Sequence, residues 1–369
     1  MIIDCDSHVM EPGDLWERYI DPQYRDRCMK VVEVDSVEQL QVEGQVILSG
    51  VLAMLGGANV ERPRLFSGGL SYADGCPPAS YDPHERARLL DEWGVDKGVL
   101  FPTIGILPFM SDDLGFLNAS CRAYNTWQAE FSQEIPGRTI PIAHLNLRDL
   151  DSASKELERC IDLGFKGVFL PPEPVDGLRP GHPHFDPLWQ GCAEAGLPVC
   201  LHVIVRFSGA AIPFAAWHEA DPAAGMVFGF ALGGTGQIIP AAVSMVTDGV
   251  FDRVPDLKLL CVESGCGWAA YVMDRLDEKW PHFGFLTTLK EKPSEYFRRN
   301  LWFVAEPEER TIGTQLDLVG EDRILWGSDF PHVDSTLDAP KLIRETVSTL
   351  SEERQARVLG TNAATVFNL

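Results

Sequence analysis

Two pairs of polar residues in the sequence are of types that bind a divalent metal ion. The first pair, Asp6 and His8, lies in the opening segment DCDSH, where both side chains point to one side if the segment is extended. A carboxylate oxygen and a neutral imidazole nitrogen suit Zn²⁺ or Mn²⁺. A DxH pair alone is a weak signal, so a metal site needs further ligands elsewhere in the chain.

The second pair is His202, at the end of the apolar run LPVCLH, and Asp329, just after the run ILWGS. A lone histidine in such a run is more often a core residue, and Asp329 could equally cap the segment that follows it. However, a carboxylate at the end of a buried strand costs free energy unless a positive charge meets it. Together, Asp6, His8, His202 and Asp329 predict a site for one divalent metal ion.

Three further residues could act at the same place. Glu263 ends the run LKLLCVE, where it could bind the metal, move protons or cap the next helix. His332 follows Asp329 closely, and Arg206 follows His202 closely. Each of these two could hold an anionic substrate or simply structure its loop. The six remaining histidines are interpreted as ordinary loop or helix residues.

The elements that must position these residues are short apolar runs, rich in β-branched residues, that alternate with helical patterns. This alternation predicts a (β/α)8 barrel, in which the carboxyl ends of all strands meet at the face that carries the active site. The candidate site residues fall at such ends. The predicted strands are 2–5, 97–101, 140–143, 167–170, 199–203, 258–262, 301–304 and 323–326.

Two stretches are longer than the loops such a barrel needs. The stretch 29–81 opens with alternating apolar residues around Glu43 and Gly44, which predicts a small hairpin inserted after the first strand. The stretch 206–237 is rich in glycine, alanine and aromatic residues, and could be a lid, an oligomer contact or a surface addition. A monomer would expose both, so we expect a homodimer or larger homo-oligomer. No linker divides the chain, which predicts a single domain over 1–369.

Composition restricts the partners. The chain has 369 residues, 45% of them hydrophobic, and a formal net charge of -23 that repels phosphate backbones and anionic lipid. We therefore expect a small-molecule substrate and neither nucleic acid nor membrane. The apolar stretches 94–106 and 198–205 are shorter than the roughly 20 residues that cross a bilayer, which predicts no transmembrane helix. The opening MIIDCDSH does not resemble a secretory signal, so the cytoplasm is the expected location.

Four blocks of the sequence resemble a known family. These are DCDSHVMEPGDLWERY, DPHERARLLDEWGVDKGVLFPT, GVFDRVPDLKLLCVESGCGW and ILWGSDFPHVDST. They are similar to blocks of the amidohydrolase-related family, in the branch that includes aminocarboxymuconate-semialdehyde decarboxylase. The resemblance covers nearly the whole chain in order and leaves mainly 29–81 and 206–237 outside it. It implies one catalytic divalent metal, usually zinc or manganese.

The resemblance also assigns roles to individual residues. The family's metal motif on the first strand falls on Asp6 and His8, with aspartate in place of the first ligand. The histidine ligand of the fifth strand falls on His202, and the aspartate of the eighth falls on Asp329. Glu263 stands where the decarboxylases of this branch have a catalytic histidine, and the glutamate that supports that histidine is replaced near Cys266.

This departure decides the order of the functional hypotheses. Because the proton donor of the decarboxylases is missing, the leading hypothesis is a metal-dependent hydrolase in which Asp329 or Glu263 accepts a proton from metal-activated water. Its substrate would be a small organic molecule that is carboxylated, cyclic or aromatic, and the bond cleaved would be C–N or C–C. The alternative is a nonoxidative decarboxylase of an aromatic or unsaturated acid, in which Glu263 or a water supplies the proton. A third alternative is a barrel that has lost catalytic activity and serves as a binding or scaffold protein.

Overall fold

The computed structural model describes residues 1–106, 111–204 and 222–369, and the chain divides into two compact units. The first unit contains Ile2–Lys166 and Ser328–Lys341. The second unit contains Gly167–Gly327 and Leu342–Leu369, together with Met1. Each unit is described by itself below, and the single domain over 1–369 stays a prediction.

The first unit contains three parallel strands and a small antiparallel sheet. Its strands are β1 (Ile3–His8), β2 (Lys30–Val34), β3 (Val37–Val42), β4 (Gln45–Ser49), β5 (Lys97–Phe101) and β6 (Thr139–Ala143). Its helices are α1 (Leu15–Tyr19), α2 (Arg62–Leu65), α3 (Pro83–Trp93), α4 (Leu114–Glu134) and α5 (Leu150–Asp162). The parallel strands pair in the order β1, β5, β6. Every residue of β1 is buried, as expected for a strand with both faces covered.

The predicted hairpin is present and is extended by one strand. Val34 pairs with Val37 and Val42 pairs with Gln45, so each connection is a two-residue turn. Both residues of each turn have positive φ, at Asp35 and Ser36 and at Glu43 and Gly44. Positive φ at both central positions is the property of the type I′ turn, whose twist matches that of paired strands. The first turn was missed because Asp35 and Ser36 are a weaker turn signal than a pair with glycine.

Polar caps fix where the helices of the first unit begin. Asp82 accepts hydrogen bonds from the amides of His84 and Glu85 at the start of α3, and Asp113 accepts from Phe116 at the start of α4. Each cap satisfies amides that lack a partner within the helix. The buried faces of α1 and α4 then pack around Trp16 in a core cluster of this unit. This core lies beside β1 and β5 and holds their ends in place.

The second unit contains five parallel strands that pair in the order β7, β8, β9, β10, β11. They are β7 (Gly167–Leu170), β8 (Val199–Leu201), β9 (Leu259–Cys261), β10 (Leu301–Ala305) and β11 (Ile324–Trp326). Its helices are α6 (Asp186–Glu194), α7 (Pro222–Thr247), α8 (Val250–Arg253), α9 (Trp268–Phe283), α10 (Pro293–Asn300) and α11 (Ile312–Leu318). Then follow α12 (Ala339–Thr346), which begins in the first unit, α13 (Glu352–Ala356) and α14 (Asn362–Val366).

Eight parallel strands that alternate with helices therefore follow one another along the described chain. The predicted fold class, a (β/α)8 barrel with a small antiparallel insertion after the first strand, is confirmed. The predicted bounds of β5 and β7 agree with the structure at both ends. The predicted end of β1 at Cys5 is wrong, because pairing with β5 continues to His8.

One described helix meets a criterion that the sequence analysis overlooked. Within α7, the 21 residues Val227–Thr247 are long and apolar enough to cross a membrane by length and composition, with a mean hydropathy of 1.3. Length and composition alone are weak evidence for a membrane span, so the expected absence of a transmembrane helix stays a prediction. Of the apolar window 22% is buried, and Ile238, Ala242 and Val246 of α7 are completely buried in the second unit. The cytoplasmic location stays a prediction.

Candidate metal centre and active site

The end of β1 brings Asp6 and His8 together. His8 Nε2 lies 3.4 Å from Asp6 Oδ1, and both side chains are buried. His8 Nδ1 lies 2.7 Å from the carbonyl oxygen of Pro102, which can only accept, so Nδ1 carries the proton of the hydrogen bond. A neutral His8 therefore presents the lone pair of Nε2 toward the carboxylate of Asp6. This is the orientation of a histidine that binds a metal through Nε2.

Asp329 joins this pair from the segment after β11. Its amide donates to the carbonyl oxygen of Asp6 at 2.8 Å, and its Oδ1 lies 3.5 Å from His8 Nε2. The backbone of Asp329 is left-handed, with φ of 54°. Such a backbone is costly for a residue other than glycine and recurs at functional sites. Three acceptor atoms, one each from Asp6, His8 and Asp329, thus converge in a buried place.

This donor set fits a divalent cation. Carboxylate oxygens and a neutral imidazole nitrogen are ligands of Zn²⁺ and Mn²⁺, and a positive ion removes the repulsion among their lone pairs. Ligand atoms of His8, Asp329 and His332 all lie within 4.8 Å of one another. The described residues of the first unit can therefore hold a divalent metal ion.

His332 contacts Asp329 directly. Its Nδ1 lies 2.8 Å from Asp329 Oδ1, and its Nε2 lies 3.1 Å from the hydroxyl oxygen of Thr103. Its ring also lies against the ring of His8, with 3.9 Å between centroids. Both ring nitrogens thus face protein oxygens. The predicted contact between His332 and a substrate stays a prediction.

A buried carboxylate below the site ties the two ligand-bearing segments to each other. Asp4 accepts hydrogen bonds from the hydroxyl of Ser328 at 2.6 Å and from its amide at 2.9 Å. Burial raises the pKa of Asp4 to about 7, although these hydrogen bonds favour the charged form. The amide of Ser328 also lies 3.1 Å from the carbonyl oxygen of Asp6. Asp4 therefore fixes the segment that carries Asp329 against the strand that carries Asp6.

A buried arginine holds the other side of β1. Arg86 of α3 is almost inaccessible and donates to the carbonyl oxygens of His8 and Ala79 and to the hydroxyl of Ser7. Its guanidinium also lies over the ring of Phe330, 5.0 Å from the centroid. Burial lowers the pKa of Arg86 to about 10. Arg86 could not be identified from the sequence, because an arginine in the helical pattern HERARLL is typical of an exposed helix face.

In the second unit, His202 and Glu263 lie together. His202 follows β8, and its Nδ1 lies 2.9 Å from the carbonyl oxygen of Val203 and 3.5 Å from Glu263 Oε2. Because a carbonyl oxygen only accepts, Nδ1 carries the proton and Nε2 is the nitrogen available to a metal, as in His8. Glu263 follows β9 and is left-handed, with φ of 52°.

Two contacts hold the backbone of Glu263 in this conformation. Gly234 of α7 packs so closely that a Cβ there would lie 2.5 Å from the carbonyl oxygen of Glu263. Glu309 accepts hydrogen bonds from the amide of Cys266 and from the hydroxyl of Thr311, which anchors the loop after Glu263. The glycine and the carboxylate together leave this loop little freedom.

Two other sequence predictions have different outcomes. Arg206, predicted to bind substrate, lies outside the described residues, as does the first part of the stretch 206–237. His144 was interpreted as an ordinary loop or helix residue, but it follows β6 directly and is nearly buried against Tyr124. The predicted strand 140–143 already ended next to it, so its position was the signal that could have identified it.

Comparisons with known proteins identify the family of the chain. The sequence pattern described as Amidohydrolase matches residues 3–369. The chain is similar to a gamma-resorcylate decarboxylase of Rhizobium radiobacter, with 26% identity over 298 residues, 77% of this chain and 86% of that one. It is also similar to the 2-amino-3-carboxymuconate-6-semialdehyde decarboxylase of Dictyostelium discoideum, with 25% identity over 294 residues, 78% of this chain and 77% of that one. A crystal structure of an amidohydrolase from Mycobacterium avium subsp. paratuberculosis superposes with a TM-score of 0.82 at 26% identity, covering 99% of this chain and 98% of that one.

Proposed function

The chain belongs to the amidohydrolase family of enzymes, and from this we propose that it is a metal-dependent decarboxylase of a small aromatic or unsaturated carboxylic acid. The observation that carries the proposal is the similarity to two kinds of decarboxylase over more than three quarters of the chain. This similarity favours the alternative of the sequence analysis over hydrolysis, which was placed first. Membership of an enzyme family also speaks against a barrel that only binds.

We propose Asp6, His8, His202 and Asp329 as the ligands of one divalent ion. The convergence of Asp6, His8 and Asp329 in the first unit supports three of them. The protonated Nδ1 of His202, which leaves Nε2 for a metal, supports the fourth. When bound, the ion would supply a positive charge that orients the substrate carboxylate and stabilises charge that develops on the substrate. Zn²⁺ and Mn²⁺ both suit this set of ligands.

Glu263 is the proposed proton donor. In decarboxylation the bond between the ring carbon and the carboxylate breaks, carbon dioxide leaves, and the electron pair that remains on carbon takes up a proton. A protonated Glu263 would give that proton and become a carboxylate, which water then reprotonates. Its place after β9, beside His202, supports this assignment. Arg206 and His332 remain the proposed contacts of the substrate's anionic groups.

The test is decarboxylation by protein loaded with Mn²⁺ or Zn²⁺. We expect release of carbon dioxide from 2,6-dihydroxybenzoate or a related hydroxybenzoate, measured with carboxyl-labelled substrate. In D2O the product should carry one deuterium on the carbon that bore the carboxylate. The variant Glu263→Gln keeps the size of the side chain and removes its acidic proton, so it should slow the release of carbon dioxide. Hydrolysis of an amide or lactone panel without any release of carbon dioxide would overturn the proposal in favour of the hydrolase.

A further inference from the structure

A chain of close polar contacts runs from a buried carboxylate to Asp329. It begins at Glu11, three residues after His8, passes through Thr103 and then through His332. Glu11 and Thr103 do not belong to the proposed set of ligands, and the sequence analysis did not single them out. Their contacts carry an inference that goes beyond the proposed function.

Glu11 fixes the loop after β5. Its carboxylate is completely buried and accepts from three consecutive amides: Thr103 at 3.1 Å, Ile104 at 2.8 Å and Gly105 at 3.0 Å. Successive amides that point to one place form a site for an anion. Gly105 is required there, since a Cβ would lie 2.8 Å from Pro102 Cβ and 3.1 Å from Glu11 Oε1. The loop that begins at Thr103 is therefore held by hydrogen bonds to a buried carboxyl group rather than by apolar packing alone.

The hydroxyl of Thr103 connects this loop to His332. Nδ1 of His332 lies 2.8 Å from Asp329 Oδ1, and because a carboxylate oxygen only accepts, the negative charge of Asp329 favours the ring form with a proton on Nδ1. In the neutral ring Nε2 then accepts, and the hydroxyl of Thr103, at 3.1 Å, is its donor. The hydroxyl thus fixes the ring orientation in which Nδ1 faces Asp329. Partners of this kind, one contact away from a metal ligand, set the orientation and the basicity of that ligand.

We propose that Glu11 and Thr103 are positioning residues that act through His332 to orient the carboxylate of Asp329. Glu11 sets the loop, the hydroxyl of Thr103 holds Nε2 of His332, and Nδ1 of His332 holds Asp329. With both ring nitrogens engaged in this way, His332 has no N–H left for an anionic substrate, so this role competes with the predicted contact to substrate. Only the metal-affinity part of the test below depends on the proposed function.

The first measurement is the affinity of the full chain for Mn²⁺, by competition with a chelator. We expect His332→Ala to weaken binding by about 10- to 100-fold, the usual effect of losing a partner of a ligand. Thr103→Val, which keeps shape and removes the hydroxyl, should weaken it by about 3- to 10-fold, and Thr103→Ser should restore it. In a His332→Ala background, Thr103→Val should change the affinity by less than about twofold, because the two substitutions interrupt one chain.

Effects of Thr103→Val and His332→Ala that simply multiply would overturn the proposal, since Thr103 would then act independently of His332. Failure of Thr103→Ser to restore the affinity would overturn it as well. Glu11→Gln should weaken Mn²⁺ binding only while His332 is present. Glu11→Gln puts an amide group against the three amides, so it can fail to fold. The Thr103 variants therefore decide whether the proposed positioning role is correct.

The second measurement does not depend on metal binding. Nitrogen NMR of protein labelled at histidine should show Nδ1 of His332 protonated and Nε2 as a hydrogen-bonded acceptor, with the signals identified by their loss in His332→Ala. Thr103→Val should shift the Nε2 signal, whereas Thr103→Ser should leave it near its wild-type position. A proton on Nε2, or a signal indifferent to Thr103→Val, would overturn the proposal. A wild-type protein that binds no Mn²⁺ would instead overturn the proposed function, while these signals still decide the role of Thr103.

Discussion

The hydroxyl of Ser328 donates to Oδ2 of Asp4 at 2.6 Å, although 324 residues separate the two in sequence. The amide of Ser328 donates to the other oxygen of the same carboxylate. Asp6 and Asp329 each lie within two residues of this contact. The geometry of the candidate metal centre therefore depends on a pair that binds no metal itself.

Ser328→Ala tests this dependence. The substitution leaves the buried carboxylate of Asp4 without its hydroxyl partner, so we expect the protein to lose roughly 1–3 kcal/mol of unfolding free energy. Urea denaturation measures it. Ser348→Ala is the control, since that exposed hydroxyl, just after α12, donates to the carbonyl oxygen of Glu345 in the last turn of the helix, and its loss should cost a few tenths of a kcal/mol. Equal stabilities of the two variants would mean that the Asp4 contact contributes little.

The purified protein should contain about one divalent metal ion per chain. The double variant His8→Ala with His202→Ala should lose it, because two of the four proposed ligands are removed. Elemental analysis measures the content. His84→Ala is the matched control, as this histidine is exposed and far from the proposed ligands in sequence. Unchanged metal content in the double variant would show that the ligands are assigned wrongly.

The variant Glu263→Gln tests whether the carboxylate of Glu263 takes part in the reaction or only stabilises the fold. If Glu263 transfers a proton, turnover should fall by roughly 100-fold or more, with metal content and melting temperature nearly unchanged. If it binds the metal, metal occupancy should fall together with activity. If it only caps the following helix, activity per folded molecule should stay near wild type and stability should drop by about 1 kcal/mol. The last result would leave Asp329 as the remaining acid-base candidate.

His144 should make the protein less stable in acid. Burial lowers its folded-state pKa from 6.5 to about 4. Above pH 6.5 the ring is neutral in both states, but between pH 6.5 and 4 the unfolded chain takes up a proton that the folded protein does not. Up to about 3 kcal/mol of stability is therefore lost as the pH falls through this window.

The check compares urea unfolding of His144→Leu and of wild type from pH 7.5 to 4.5. The variant should lose less stability across this range. His84→Leu removes an exposed histidine instead and should follow the wild-type curve. Parallel curves for His144→Leu and wild type would contradict the lowered pKa.

A homodimer or larger homo-oligomer is the expected assembly. Apolar side chains on the inserted sheet support it, since Val34, Val37 and Val46 are each at least 41% exposed. Sedimentation at micromolar concentration measures the assembly. If the inserted sheet forms the contact between subunits, Val46→Glu should promote monomers. Gln45→Glu is the control: it adds the same charge one residue away, on the opposite face of the strand, and should leave the assembly unchanged. A monomeric wild-type protein would contradict the expectation.

Periodicity and residue type were sufficient to predict the strands and the convergence of Asp6, His8 and Asp329. Asp6 and His8 alternate along the first strand, and Asp329 follows the apolar run ILWGS, so each lies at or near the end of a predicted strand. The supporting residues Asp4, Arg86, Glu11 and Thr103 could not be predicted in this way. Their partners are distant in sequence, and a buried arginine in a helix has the same local pattern as an exposed one.

The pairing of Ser7 with Phe330 closes one side of β1, whose other side pairs with β5. During translation Phe330 leaves the ribosome more than 300 residues after Ser7, which at 5–20 residues per second is roughly 15–65 seconds. Throughout this time one edge of a strand that is buried in the folded protein has no native partner, and such edges recruit other nascent chains. Chaperone binding early in synthesis would protect this edge, and a release of the chain before Ser328 would leave it permanently open.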